Sequence, residues 1–219
     1  MNATLESLGT MHGEDRRSAE RFSLLMKTAK LVCQSGEFAC ICRDISSSGI
    51  KLKLFHPLPP EQHFLLELAN GERYAMQIVW EENNQAGFRF AEAIDVAEFA
   101  QEPTDFPRRS IRLRIDAPAT LTIGDRRQNA RLVNISQHGA CIETGARLPE
   151  RQRLTLAVDF LPVRESHIRW RNGFMHGLVF QQGFTLAELA GHAFTLQPFG
   201  HHDEAIVARP ASATLRHSA

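Results

Sequence analysis

No run in this chain approaches the about 18 consecutive apolar residues that a membrane helix requires, which argues against a helical span. The first fifteen residues have neither a basic start nor an apolar core, so no secretory signal is expected and the cytoplasm is the expected compartment. Cysteine is scarce: Cys33, Cys40, Cys42 and Cys141 are unevenly divided and form no CxxC pair. Neither a disulfide framework nor a zinc-site spacing follows, and each is expected to be a reduced thiol packed as a small apolar group. GxSxG, HExxH and P-loop patterns are missing, and no carboxylate pair recurs in both halves, so no catalytic residues, cofactor or metal are expected. His201-His202-Asp203-Glu204 has metal-ligand composition, but it stands in an unpatterned tail. Net charge is also missing, with 25 Lys and Arg against 25 Asp and Glu.

That neutrality hides an asymmetry. Residues 16–101 carry ten Lys/Arg against eleven Asp/Glu, whereas residues 105–184 carry thirteen cations, all Arg, against seven acids. The second half is therefore suited to an anionic partner, through the side chain best able to make planar, bidentate contacts.

What the chain does have is a repeat. Asp44-Ile45-Ser46-Ser47-Ser48-Gly49 returns ninety residues later as Asn134-Ile135-Ser136-Gln137-His138-Gly139. The same shift aligns Trp80 with Trp170, Gly87 with Gly177, Phe90 with Phe180, Ile78 with Ile168 and Leu52 with Ile142. Arg17 and Arg21 align with Arg108 and Arg112 when the shift is changed by one residue. A period this long fits a whole small domain, so the chain reads as a tandem duplication. Each hexapeptide sits between apolar alternating runs and reads as a tight bend between strands. Its Asp or Asn and its Ser can accept from nearby backbone N–H groups, and its Gly can take φ > 0.

The alternation places strands near Ala29–Cys33, Glu37–Asp44, Ile50–Leu54 and Phe64–Leu68, with Tyr74, Met76, Ile78 and Trp80 on the next inward face. Asn70-Gly71 and Asn83-Asn84 are turn signals, and a short helix over Asp95–Ala100 closes the unit. The second unit predicts strands near Ala119–Ile123, Asn129–Ile135, Gly139–Thr144, Arg153–Val158, Leu161–Arg171 and Phe174–Phe180, then a helix over Leu186–Phe194. Short strands with turn signals and few helices argue an all-β fold with a small antiparallel barrel in each half. The boundaries are a tail over 1–14, a first domain over 15–100, a linker over 101–107 and a second domain over 108–195. A tail over 196–219 follows, and both tails are expected to be disordered.

Arg17-x-x-x-Arg21 followed by Asp44-x-Ser46-x-x-Gly49, and Arg108-x-x-x-Arg112 followed by Asn134-x-Ser136-x-x-Gly139, resemble the PilZ family. Its pattern is RxxxR near the domain start and [DN]xSxxG on the turn after the second strand. The tryptophan strands and the segments Gly87–Phe90 and Gly177–Phe180 are similar too, and the resemblance covers roughly 15–100 and 107–190. It implies two six-stranded antiparallel barrels, each with a C-terminal helix, and a non-enzymatic receptor for cyclic di-GMP. The ligand residues it implies are Arg17, Arg21, Asp44, Ser46, Gly49, Arg108, Arg112, Asn134, Ser136 and Gly139, with Arg16 and Arg109 assisting. Such a ligand suits these residues: guanine O6 and N7 match an Arg fork, and a guanidinium can stack on the purine. A receptor without catalysis acts by changing domain arrangement or partner, so a downstream protein partner is implied, rather than nucleic acid or membrane insertion. The alternatives are an interaction module in which one or both barrels bind no nucleotide, and a DNA-binding regulator using the basic second half. Trp80 and Trp170 are expected in the core.

Overall fold

The computed structural model describes residues 26–101 and 110–197. Arg16, Arg17, Arg21, Arg108, Arg109, the N-terminal tail, nearly all of the linker and most of the C-terminal tail lie outside the described residues.

The first half forms β1 (Lys27–Cys33), β2 (Gly36–Ile45), β3 (Gly49–Lys53), β4 (His63–Glu67), β5 (Arg73–Glu82) and β6 (Gln85–Phe90), then helix α1 (Val96–Gln101). These strands close into an antiparallel barrel in the order β1-β2-β3-β6-β5-β4. The second half repeats the design with β7 (Leu113–Ile123), β8 (Arg126–Ser136), β9 (Gly139–Glu143), β10 (Arg153–Val158), β11 (Arg164–Asn172), β12 (Met175–Phe180) and helix α2 (Leu186–Thr195). Its closed order is β7-β8-β9-β12-β11-β10. No helix among the described residues is long and apolar enough to cross a membrane.

The alternation of apolar residues fills each barrel. Leu31, Cys40, Leu52, Phe64, Leu66, Met76 and Phe88 point into the first, and Leu113, Leu121, Leu132, Ile142, Leu156 and Ile168 into the second. All four cysteines are free thiols and buried, as small apolar groups would be. Burial and the neighbouring Glu61 carboxylate push the Cys33 thiol up to about 12, which keeps it protonated. The Asn83-Asn84 hairpin holds both residues at positive φ (51° and 58°), the conformation that two-residue hairpins select. Strand β7 begins at Leu113, six residues before the expected Ala119: Leu113, Ile115 and Ala117 alternate inward with exposed Arg114 and Asp116, and the pairing with β8 shifts register between Arg114 and Ala117.

One expectation is overturned. Trp80 does not share an inward face with Met76 and Ile78, and neither tryptophan is in a core: Trp80 is 42% and Trp170 37% exposed. The cause is a β-bulge. Ile78 pairs with Phe88 and the next partner pair is Trp80–Gly87, so Val79 is an extra residue. Arg169 plays the same part between Ile168–Leu178 and Trp170–Gly177. An extra residue turns every later side chain to the opposite face.

The barrels do not hang separately on the connector. Ala39, on the outer side of β2, is 1% exposed and belongs to the second barrel's apolar cluster, with Phe55 and Ala69 packed against it. Glu37 is the polar node of this seam. It forms an ion pair with Lys30 at 2.8 Å and accepts from the Arg114 backbone N–H at 2.9 Å. Gln197 also meets it, accepting from the Glu37 N–H at 2.8 Å and donating to its carbonyl.

His56 lies at the same seam, buried, with its ring stacked on Phe194 at 4.5 Å. Its Nδ1 is 2.8 Å from the Pro57 carbonyl and so donates to it, and its Nε2 has no partner. Burial pushes the imidazole below its ordinary 6.5, with the Pro57 carbonyl and the Glu81 carboxylate opposing. The folded protein therefore favours the neutral ring, and the unfolded chain takes up the proton first as pH falls. The stability contribution is fully present above about 6.5 and is lost as pH drops toward the depressed folded value. Thermal denaturation is expected to show a larger loss of stability between about pH 7.5 and 5.5 in the unaltered protein than in His56→Phe. Equal losses would refute it.

Candidate functional site

Each barrel presents one cross-strand row on its outer wall. A bulge between Cys42 and Asp44 leaves Cys42 in the core and turns Asp44 outward. Asp44 pairs with Lys51, Lys51 with Gly87, and Gly87 with Trp80. The second barrel has the same device: a bulge between Leu132 and Asn134 turns Asn134 outward beside Cys141. Cys141 pairs with Gly177, and Gly177 with Trp170. Two bulges per barrel thus deliver a polar side chain to one end of the row and an indole to the other.

The glycine within each row is a floor. A Cβ on Gly87 would lie 2.1 Å from Trp80 Nε1, and one on Gly177 would lie 2.1 Å from Trp170 Nε1. The indole therefore lies against bare backbone, held at the surface with one face available.

The serine bend closes the other side. Ser46 accepts from the Gly49 N–H at 3.2 Å, and the Ser46 N–H donates to the Gly49 carbonyl at 2.8 Å. In the second barrel the Ser136 hydroxyl donates to the Gly139 carbonyl at 3.2 Å and is buried. The serine hydroxyls therefore shape the bends. The bend glycines serve a different end from the one expected, since neither Gly49 nor Gly139 has positive φ. They let adjacent strands close up: a Cβ would lie 2.7 Å from the Phe88 carbonyl oxygen at Gly49 and 2.1 Å from that of Leu178 at Gly139.

In the first barrel these parts enclose a cleft of about 330 Å³, lined by Asp44, Ser46, Ser48, Gly49, Lys51, Trp80 and Arg89. Asp44 forms an ion pair with Lys51 rather than capping the bend. Lys51, Arg89 and Trp80 are lining residues outside the sequence motifs. Lys51 was visible as a polar position in an alternating strand, but the tryptophans could not be placed without the bulges.

Of the sequence-predicted residues, Asp44, Ser46 and Gly49 are brought together on one bend, and Asn134, Ser136 and Gly139 on the other. Arg112 joins the second set. It immediately precedes β7, where Leu113 pairs with Ile135 and Arg114 with Asn134. Its charge reaches the row: burial pushes the Cys141 thiol up, and the Arg112 guanidinium pulls it back down. The arm is also gripped from the first barrel, where Lys30 donates to the Arg112 carbonyl at 3.2 Å.

The chain thus holds two closed six-stranded barrels, each with a serine bend beside an outward polar residue and a glycine-backed indole on its outer wall. The PilZ domain model matches residues 15–102 and again 106–190, and the chain belongs to the PilZ domain family. No curated protein sequence matches it. Among solved structures, PlzA of Borreliella burgdorferi in complex with c-di-GMP is 12% identical, over 82% of this chain and 94% of that one, with a TM-score of 0.33. The Bacillus subtilis inhibitor of motility MotI/DgrA is 10% identical, over 78% and 96%, with a TM-score of 0.35. YcgR of Escherichia coli in complex with c-di-GMP is 14% identical, over 78% and 83%, with a TM-score of 0.29.

Proposed function

We propose that this chain is a cytoplasmic, non-enzymatic receptor for cyclic di-GMP, with one site on the outer wall of each barrel. Residues 15–100 and 108–195 are its two modules, and Arg17 with Arg21 and Arg108 with Arg112 are the arms that complete the sites. The observation that carries this reading is the row running from Asp44 or Asn134 to a glycine-backed Trp80 or Trp170, beside the serine bend. The carboxylate or amide oxygen accepts from guanine N–H groups, and the indole face offers a stacking surface for a purine. The arms supply the guanidinium forks for guanine and phosphate. Family membership supports the same ligand.

The output is a change of domain arrangement or partner. Arg112 is held through its carbonyl by Lys30 of the first barrel, so a ligand that draws on Arg112 acts on the seam as well as on its own barrel. Binding to the folded state stabilises it by about 2.7 kcal/mol per site at a hundredfold excess over Kd. The melting temperature is expected to rise by several degrees with cyclic di-GMP and to stay put with the same concentration of GMP. Small-angle scattering with saturating ligand reads the arrangement. No thermal shift and no heat of binding would refute the receptor reading, and an unchanged scattering profile would refute the rearrangement alone.

A further inference from the structure

The two sites differ in chemistry at corresponding positions, and the difference is concerted. Where the first row carries the ion pair Asp44–Lys51, the second carries the neutral pair Asn134 and Cys141. Arg89, which lines the first cleft beside Gly49, corresponds to Val179. The first cleft thus has cations built into β3 and β6, on rigid strands and independent of the arm. In the second barrel the strand positions equivalent to Lys51 and Arg89 hold no cation; the arginines beside the row are Arg112 and Arg114 at β7 and Arg169, the bulge residue next to Trp170.

We propose that Lys51 is a specificity-determining residue of the first site: it holds Asp44 while the cleft is empty and moves to a phosphate oxygen when a cyclic dinucleotide enters. This rests on the receptor reading above. The Lys51 and Asp44 side chains are 36% and 30% exposed. An ion pair this accessible is worth only about 0–1 kcal/mol, so giving it up costs little. The exchange suits both partners. Asp44 passes from an ammonium donor to the N–H donors of a guanine edge, and the ammonium passes from one carboxylate to a phosphodiester carrying a full charge. Four methylene groups give Lys51 the reach to make that move without shifting the strand. Asn134 needs no such counter-ion because its amide is neutral, which is why a thiol can occupy the neighbouring position. The phosphate contact that Lys51 makes in the first site has no counterpart at Cys141 in the second, so the two sites respond differently to salt.

The test is two-site calorimetry on the full chain with cyclic di-GMP at low and high salt, comparing the unaltered protein, Lys51→Met and Asp44→Asn/Lys51→Met. Melting curves verify that each variant is folded. Lys51→Met keeps the apolar stem and removes the charge. It is expected to weaken one of the two sites about tenfold at low salt, with a smaller loss at high salt, and to leave the other unchanged. The double variant reproduces the neutral row of the second barrel and decides between two roles. If Lys51 contacts phosphate, the double variant stays about tenfold weak. If Lys51 merely neutralises Asp44, removing both charges restores the affinity, and the proposal is overturned. Two unchanged constants in Lys51→Met also overturn it, with the receptor reading intact. No uptake by the unaltered chain would overturn both.

Discussion

Replacing both Arg108 and Arg112 by alanine is expected to cut the stoichiometry of cyclic di-GMP binding from two sites per chain to one. Arg112 stands next to β7, its charge is felt at Cys141 in the middle of the row, and the adjacent Leu113 and Arg114 pair with Ile135 and Asn134. Arg112 is exposed and stands two residues before Arg114, the pairing partner of Asn134. Each charge-assisted hydrogen bond lost from a site is worth about 1.5–3 kcal/mol, so removing two arginines weakens the second site by at least about a hundredfold. Arg17→Ala/Arg21→Ala is the reciprocal variant, and it is expected to hit the first site less hard because Lys51 and Arg89 remain. Calorimetry on the intact protein and both variants checks this. Two unchanged sites after loss of Arg108 and Arg112 would refute the arm's role.

The second large effect concerns the glycines, and it ranks them. Gly139→Ala is expected to destabilise the protein by about 3 kcal/mol, Gly49→Ala by about 1–2 kcal/mol, both as overpacking against backbone. The added methyl would lie 2.1 Å from the Leu178 carbonyl oxygen in the first case and 2.7 Å from the Phe88 carbonyl oxygen in the second. Neither oxygen can retreat without disturbing a strand pairing. Gly87→Ala meets the Trp80 indole instead, a side chain at the surface that can swing away. It is expected to spare stability and damage the first site, because the indole no longer lies flat at the edge of the cleft. Denaturant titrations of the three variants check the order. A Gly87→Ala protein as unstable as Gly139→Ala would show that the indole is fixed structure rather than a site wall.

The all-β class, the duplication and nearly every strand were legible because each half alternates with a period of two and punctuates itself with turn residues. The bends were legible as hexapeptides that recur at matching places. What alternation could not convey was where it breaks. Val79, Arg169, Arg43 and Val133 are ordinary strand residues, and nothing in their chemistry announces a bulge. Yet they decide that Trp80, Trp170, Asp44 and Asn134 face outward. The early start of β7, by contrast, lay in plain alternation, with Leu113, Ile115 and Ala117 inward and Arg114 and Asp116 outward. The glycine roles needed coordinates as well, since a residue admitted for close approach and one admitted for positive φ look identical in a sequence. The seam through Ala39 and Glu37 gave no signal at all: a small apolar residue and an acid on a strand suit any half-exposed surface.

That seam has a mechanical consequence. Glu37 is held at once by Lys30, the Arg114 backbone and Gln197, and Ala39 is seated in the neighbouring core. One half cannot swing gradually against the other, because any rotation takes the Arg114 N–H from the Glu37 carboxylate and Gln197 from the Glu37 backbone together, and wets the alanine behind them. Such a joint behaves as a latch rather than a hinge. It stays shut against weak perturbation, and whatever opens it must deliver its free energy in a single step.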